Sequence, residues 1–183
     1  KKENENAPIH ILTSSAEHNS VIKCMKSLAY KNVEVEVIPV NRWGQVEVAT
    51  IEKYLRPETR LMSFVFVNNE IGSINPVNEI GRLSKEKKIY FHTDGTQAVS
   101  KVPVDVEKQK IDMMSLSAHK FYGPKGVGAL YIRSHDPKVS IQAYIHGGGQ
   151  ENGARSGTLN VPGIVGMGAA AELAIKEFES EHQ

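Results

Sequence analysis

Leu61-Met-Ser-Phe-Val-Phe-Val67 is almost continuously apolar. That is the composition of a strand covered by helices on both faces, and such strands belong to mostly parallel α/β sheets. Val33-Glu-Val-Glu-Val37 instead alternates like an edge strand, so one margin of the sheet is expected to be exposed. Further β-rich runs lie at Ile9–Thr13, Ile89–His92, Ile111–Leu116 and Val127–Ile132. Helix-like or turn-rich segments separate most of them, the alternation of βαβ units.

The helical segments carry their own signals. Val21, Cys24, Met25 and Leu28 fall at helical spacing and predict one apolar face that includes the thiol. Pro76 suits a helix start, after which Ile80 and Leu83 face inward until the charge run Lys85-Glu-Lys-Lys88, expected to be a solvated face. From Pro162 onward, apolar residues among Ala and Glu predict a long amphipathic helix ending in a polar tail.

The 183 residues, 40% of them apolar, suffice for one substantial core. A net charge of +1 provides no field favouring nucleic acid or an anionic membrane. A single cysteine excludes an internal disulfide framework and a multi-thiolate metal site built from this chain alone. No stretch approaches the roughly 20 apolar residues of a membrane helix. The sequence starts on Lys rather than Met, which is compatible with removal of a targeting segment.

Ligands of open α/β sheets bind beyond the carboxyl ends of the strands. The residues there are Ser14-Ser-Ala-Glu-His18, Asn68-Asn-Glu70, His92-Thr-Asp-Gly-Thr-Gln97 and Ser117-Ala-His-Lys120. Lys120, directly after an apolar run, is a candidate amine nucleophile toward a carbonyl, its plain alternative being a lysine that snorkels at a strand end. Asp94 suits the protonated ring nitrogen of a group such as pyridoxal phosphate, or else it caps the segment that follows. Ser117 and His119 can donate to a phosphate, and His18 can cover one face of an aromatic ring. The glycine-rich His146–Thr158 segment offers backbone N–H groups and Thr158 to an anion, or is a flexible loop. His10, His92, His135 and His146 lack the clustered spacing of metal ligands, and no metal site is expected.

Five ordered motifs carry a resemblance. They are Thr13-Ser-Ser-Ala-Glu-His18, Asn68-Asn-Glu-Ile-Gly72, His92-Thr-Asp-Gly-Thr-Gln-Ala98, Ser115 through Tyr131 with Ser117-Ala-His-Lys120, and His146-Gly-Gly-Gly-Gln-Glu through Arg155-Ser-Gly-Thr158. Through them the chain resembles the pyridoxal-phosphate-dependent cysteine desulfurases of the class V aminotransferase group, fold type I. The resemblance implies that Lys120 binds the cofactor's aldehyde and acts as base. Asp94 would then hold the ring nitrogen, Gln97 the ring hydroxyl, His18 the ring face, and Ser117 and His119 the phosphate. Asn69 would hold the substrate carboxylate, and Thr158 would reach the phosphate of the neighbouring subunit in a homodimer.

The implied fold is the central part of the fold-type-I large domain, a mostly parallel sheet flanked by helices. It would occupy residues 9–178, between a polar segment 1–8 and a polar tail 179–183, with the family's N-terminal part and small domain outside this sequence. The implied reaction takes L-cysteine to L-alanine and passes sulfur to a cysteine persulfide, for iron–sulfur cluster assembly or thio-modification through a sulfur-acceptor protein. The family's nucleophilic cysteine and substrate-binding arginine match no residue here, and Cys24 is expected to be a buried, inert thiol. Asn152 stands where the family often has arginine. Alternatives of the same resemblance are a selenocysteine lyase or another class V lyase, and a non-catalytic dimerising scaffold. A cytoplasmic location is expected, or the mitochondrial matrix if a transit peptide was removed.

Overall fold

In the computed structural model, residues 7–30 and 32–181 are described. Residues 1–6 of the expected N-terminal segment and 182–183 of the expected tail lie outside them. The chain runs β1 (Ile9–Ser14), α1 (Asn19–Leu28), β2 (Val33–Ile38), α2 (Val48–Tyr54), β3 (Thr59–Val65), α3 (Val77–Lys87), β4 (Tyr90–Asp94), β5 (Met113–Ser117), β6 (Gly128–Ile132) and α4 (Val161–Glu181). Among the described residues these strands form one sheet in the order β2-β1-β3-β4-β5-β6. Every pairing is parallel except β5 with β6.

The alternating β2 is indeed an edge, and β3 is central. Met62, Phe64 and Phe66 of the β3 run are buried in the main core with Leu12, Ile51, Ile80, Leu83 and Phe91. Each fully buried phenylalanine contributes about 1.5–3 kcal/mol of transfer free energy. Phe66 and Val67 stay buried beyond the end of β3, where Asn75 folds the chain back by donating to the Val65 carbonyl at 2.7 Å and, through its backbone N–H, to that of Phe66 at 2.9 Å. After β5 the chain makes a 3-10 turn, Ala118–Phe121, and a tight reversal into β6.

Two sequence expectations are corrected. Cys24 is exposed rather than buried. Of its helix only Val21 and Met25 are buried, against Ile11 of β1, and residue 24 lies about 100° round the helix from residue 25. Lys85 is not merely a solvated charge: its Nζ forms an ion pair with Asp112, whose side chain is 1% exposed. Asp112 also accepts from the Phe91 backbone N–H at 3.0 Å and faces Arg133 Nε at 3.4 Å. The predicted C-terminal helix forms, but only part of its apolar surface is used: Ala170, with Met167 and Ala171, packs on Ala118 and Phe121, while Val165 and Leu173 remain exposed.

Candidate functional site

Parallel β1, β3, β4 and β5 all end on one side of the sheet, so the four polar stretches that follow them converge. They line a cleft of about 310 Å³ formed by His18, Ser20, Val65, Val67, Asn69, Asp94, Thr96, Gln97, Ser117, His119 and Lys120. That volume falls within the range of small-molecule sites, about 300–1,000 Å³. Of the residues singled out from the sequence, His18, Asn69, Asp94, Gln97, Ser117, His119 and Lys120 are brought together here. Thr158 is exposed and does not line the cleft, nor does Cys24.

Each side chain has a local reason for its place. His18 is the N-cap of α1: its Nδ1 accepts from the Ser20 backbone N–H at 3.2 Å and bonds the Ser20 hydroxyl at 2.8 Å, which fixes the ring at the cleft's edge. Asp94 closes β4, is 6% exposed, and accepts from the Thr96 backbone N–H at 3.0 Å. The capping alternative is therefore real, and it leaves the carboxylate lining the cleft. Two residues earlier, His92 joins Ser63 and Ser115 across three strands at 2.8 Å each. Burial lowers its proton affinity, opposed by the charge of Asp94, so a neutral imidazole stands behind the carboxylate.

Lys120 is exposed on the 3-10 turn, and Ser117 Oγ bonds His119 Nδ1 at 2.9 Å. Lys101, which no sequence signal singled out, donates from Nζ to the Lys120 carbonyl and to Gln97 Oε1, both at 3.0 Å. Burial and then the charge of Lys120 lower its pKa. Asn69 donates to Glu70 Oε1 at 2.7 Å.

Glu17 also escaped the sequence reading, although it sits in the quoted Thr13–His18 motif. It is 9% exposed. Its Oε1 accepts from the Ser14 hydroxyl at 2.6 Å and the Val65 backbone N–H at 2.9 Å, while Oε2 is buried without a partner. Burial pushes its pKa up to about 7, partly offset by those hydrogen bonds.

Chemically, the cleft offers an amine, a buried carboxylate, an imidazole, an amide and hydroxyl and imidazole donors. This set suits a planar cationic ring bearing a carbonyl and an anionic tail, and the donor types and the cleft volume fit pyridoxal phosphate.

Comparison with known proteins agrees with the geometry. Cysteine desulfurase of Homo sapiens is 48% identical over 174 residues, covering 95% of this chain and 38% of that protein. Cysteine desulfurase IscS of Methanosarcina thermophila is 49% identical over 174 residues, again 95% of this chain and 42% of the relative. The chain thus spans about two-fifths of the length of these curated relatives. Among solved structures, one described as a NifS-like protein superposes with a TM-score of 0.90 at 44% identity, over 96% of this chain and 48% of that one. Another, SspA in complex with cysteine, gives 0.85 at 42% identity, over 90% and 47%. The family model described as aminotransferase class-V matches residues 4–183, so every strand end that lines the cleft falls inside the match, and the chain belongs to the aminotransferase class-V family.

Proposed function

We propose that this chain is the cofactor-binding portion of a pyridoxal-phosphate-dependent cysteine desulfurase, which takes L-cysteine to L-alanine and passes the sulfur to a cysteine thiol. The observation that carries the reading is the convergence of Lys120, Asp94, His18, Gln97, Ser117, His119 and Asn69 on one cleft from separate strand ends. The names of the relatives, and the cysteine bound to SspA, support cysteine as the substrate.

When bound, pyridoxal phosphate supplies an electron sink for the charge left at the amino acid's α-carbon. Lys120, which lines the cleft, would hold the cofactor's aldehyde carbon through Nζ, and the same amine would take the proton from the substrate Cα. Asp94, buried in the cleft wall, would face the ring nitrogen and favour its protonated form. His18 covers one face of the ring, Gln97 bonds the ring hydroxyl, Ser117 and His119 hold the phosphate, and Asn69 orients the substrate carboxylate. The thiolate that attacks the substrate sulfur comes from elsewhere, since Cys24 does not line the cleft. A homodimer, in which Thr158 reaches the partner's phosphate, and delivery to an iron–sulfur scaffold or other acceptor protein complete the proposal.

The test is borohydride reduction of the full-length protein loaded with pyridoxal phosphate, followed by peptide mapping. The label should fall on Lys120 and vanish in Lys120→Ala, and the untreated protein should release alanine from cysteine. A label on another lysine, or no alanine, overturns the proposal.

A further inference from the structure

Glu17 is a buried carboxyl that the proposed chemistry does not use. Its Oε1 receives a donor from the end of β1, the Ser14 hydroxyl, and another from the end of β3, the Val65 N–H. One oxygen atom therefore ties together two of the four strands that open onto the cleft. The next residue is His18, and Val65 pairs with Asp94 in the β3–β4 ladder. A further tie crosses the same gap, from Asn68 Nδ2 to the Ala16 carbonyl at 2.9 Å. The remaining oxygen, Oε2, is sealed from water with no partner, which is costly for a carboxylate and far less so for a protonated acid.

We propose that Glu17 is a positioning residue of the cleft, holding His18 at its mouth by clamping the β1–α1 turn to the end of β3, and that it does so as the neutral acid. The proposal rests on the cofactor-binding reading given above. Oε1 is then the carbonyl oxygen, accepting both hydrogen bonds, and the proton sits on Oε2. Ionisation places an unpartnered charge in the interior beside Asp94 of β4, whose negative charge opposes it; the other groups in contact, the Ser14 hydroxyl and the Val65 main chain, are neutral. Relief requires the turn to swing Oε2 toward water, and that motion carries His18 with it. With a pKa of about 7, the clamp loosens through neutrality.

The test compares the full-length wild type with Glu17→Gln, which keeps a carbonyl acceptor and cannot ionise, and Glu17→Ala, which removes the clamp. Amide hydrogen exchange of residues 15–20 is measured without cofactor at about pH 6 and about pH 8, corrected for intrinsic exchange, and pyridoxal phosphate affinity and the circular dichroism of the bound cofactor are measured at the same pH values. In Glu17→Ala the turn should exchange faster at both pH values, and affinity should fall about tenfold, the worth of the two lost hydrogen bonds. Glu17→Gln should match the wild type at the lower pH and stay protected at the higher one, where the wild type loosens and its cofactor dichroism weakens. Unchanged exchange in Glu17→Ala, a Glu17→Gln protein as loose as Glu17→Ala, or a wild type indifferent to pH overturns the proposal. If Glu17→Ala does not fold, the comparison of wild type and Glu17→Gln decides it. The exchange arm contains no cofactor, so failure of the wild type to bind pyridoxal phosphate overturns only the functional reading.

Discussion

Replacing Asp112 by Asn should cost about 3 kcal/mol of stability and leave the cleft untouched. The carboxylate precedes β5, at the end of the sheet opposite the cleft, and ties α3 to β4 through Lys85 and the Phe91 N–H, with Arg133 on its other side. The Arg133 side chain is 4% exposed. Breaking a buried ion pair by removing one partner typically costs about 3–5 kcal/mol, because a charge is left in the interior. The lower end applies here. Asn still accepts from Phe91, and the Lys85 side chain, already 25% exposed, returns to water. Arg133 also keeps Glu107 at 2.7 Å and the carbonyls of Val106 and Ile111. Urea unfolding of the full-length protein, followed by far-ultraviolet circular dichroism, measures the loss, and a parallel titration with pyridoxal phosphate should give an affinity within about twofold of wild type. A loss below about 1 kcal/mol would refute the claim that this network is a desolvated anchor, since that is the scale of surface pairs. A tenfold drop in cofactor affinity without a stability loss would refute its separation from the site.

Three further outcomes are expected. Glu17 holds its proton up to about pH 7 in the folded chain but releases it near 4.5 when unfolded, so its contribution to stability declines as pH rises from 4.5 to 7. At about 1.4 kcal/mol per pH unit this penalty reaches about 3 kcal/mol, and Glu17→Gln should escape it in pH-dependent urea unfolding; parallel pH profiles would count against the buried acid. Lys101→Met removes the shared donor of the Lys120 carbonyl and Gln97, and should weaken pyridoxal phosphate binding about tenfold with little change in melting temperature; equal affinities would rule out that role. Gly81→Ala should lower the melting temperature although alanine improves helix propensity by about 1 kcal/mol, because a Cβ there would run into the Gln109 carbonyl oxygen; a raised melting temperature would show that α3 can shift.

Much of the fold was legible because burial writes itself into composition. The unbroken apolar run in Leu61–Val67 and the alternation in Val33–Val37 correctly separated a central strand from an edge strand, and the six β-rich runs match the six strands to within two residues at every boundary. The convergence of Lys120, Asp94 and His18 was also foreseeable, since parallel strands place their carboxyl ends together whatever their order in the chain. Cys24 and Lys85 misled for one reason: helical periodicity tells which residues share a face, but not how wide a stripe the sheet covers or whether an acid waits opposite.

The sequence by itself determined the period of each element, the parallel sheet and the residue types that follow its strands, because these depend on local chemistry and on which side chains avoid water. Only the tertiary structure decided that Glu17 bridges β1 and β3, that Lys101 holds the turn bearing Lys120, and that Lys85 belongs to Asp112. Each of these depends on the distance between segments far apart in the chain, and a hydrogen bond or ion pair has strength only when that distance falls within a few ångströms.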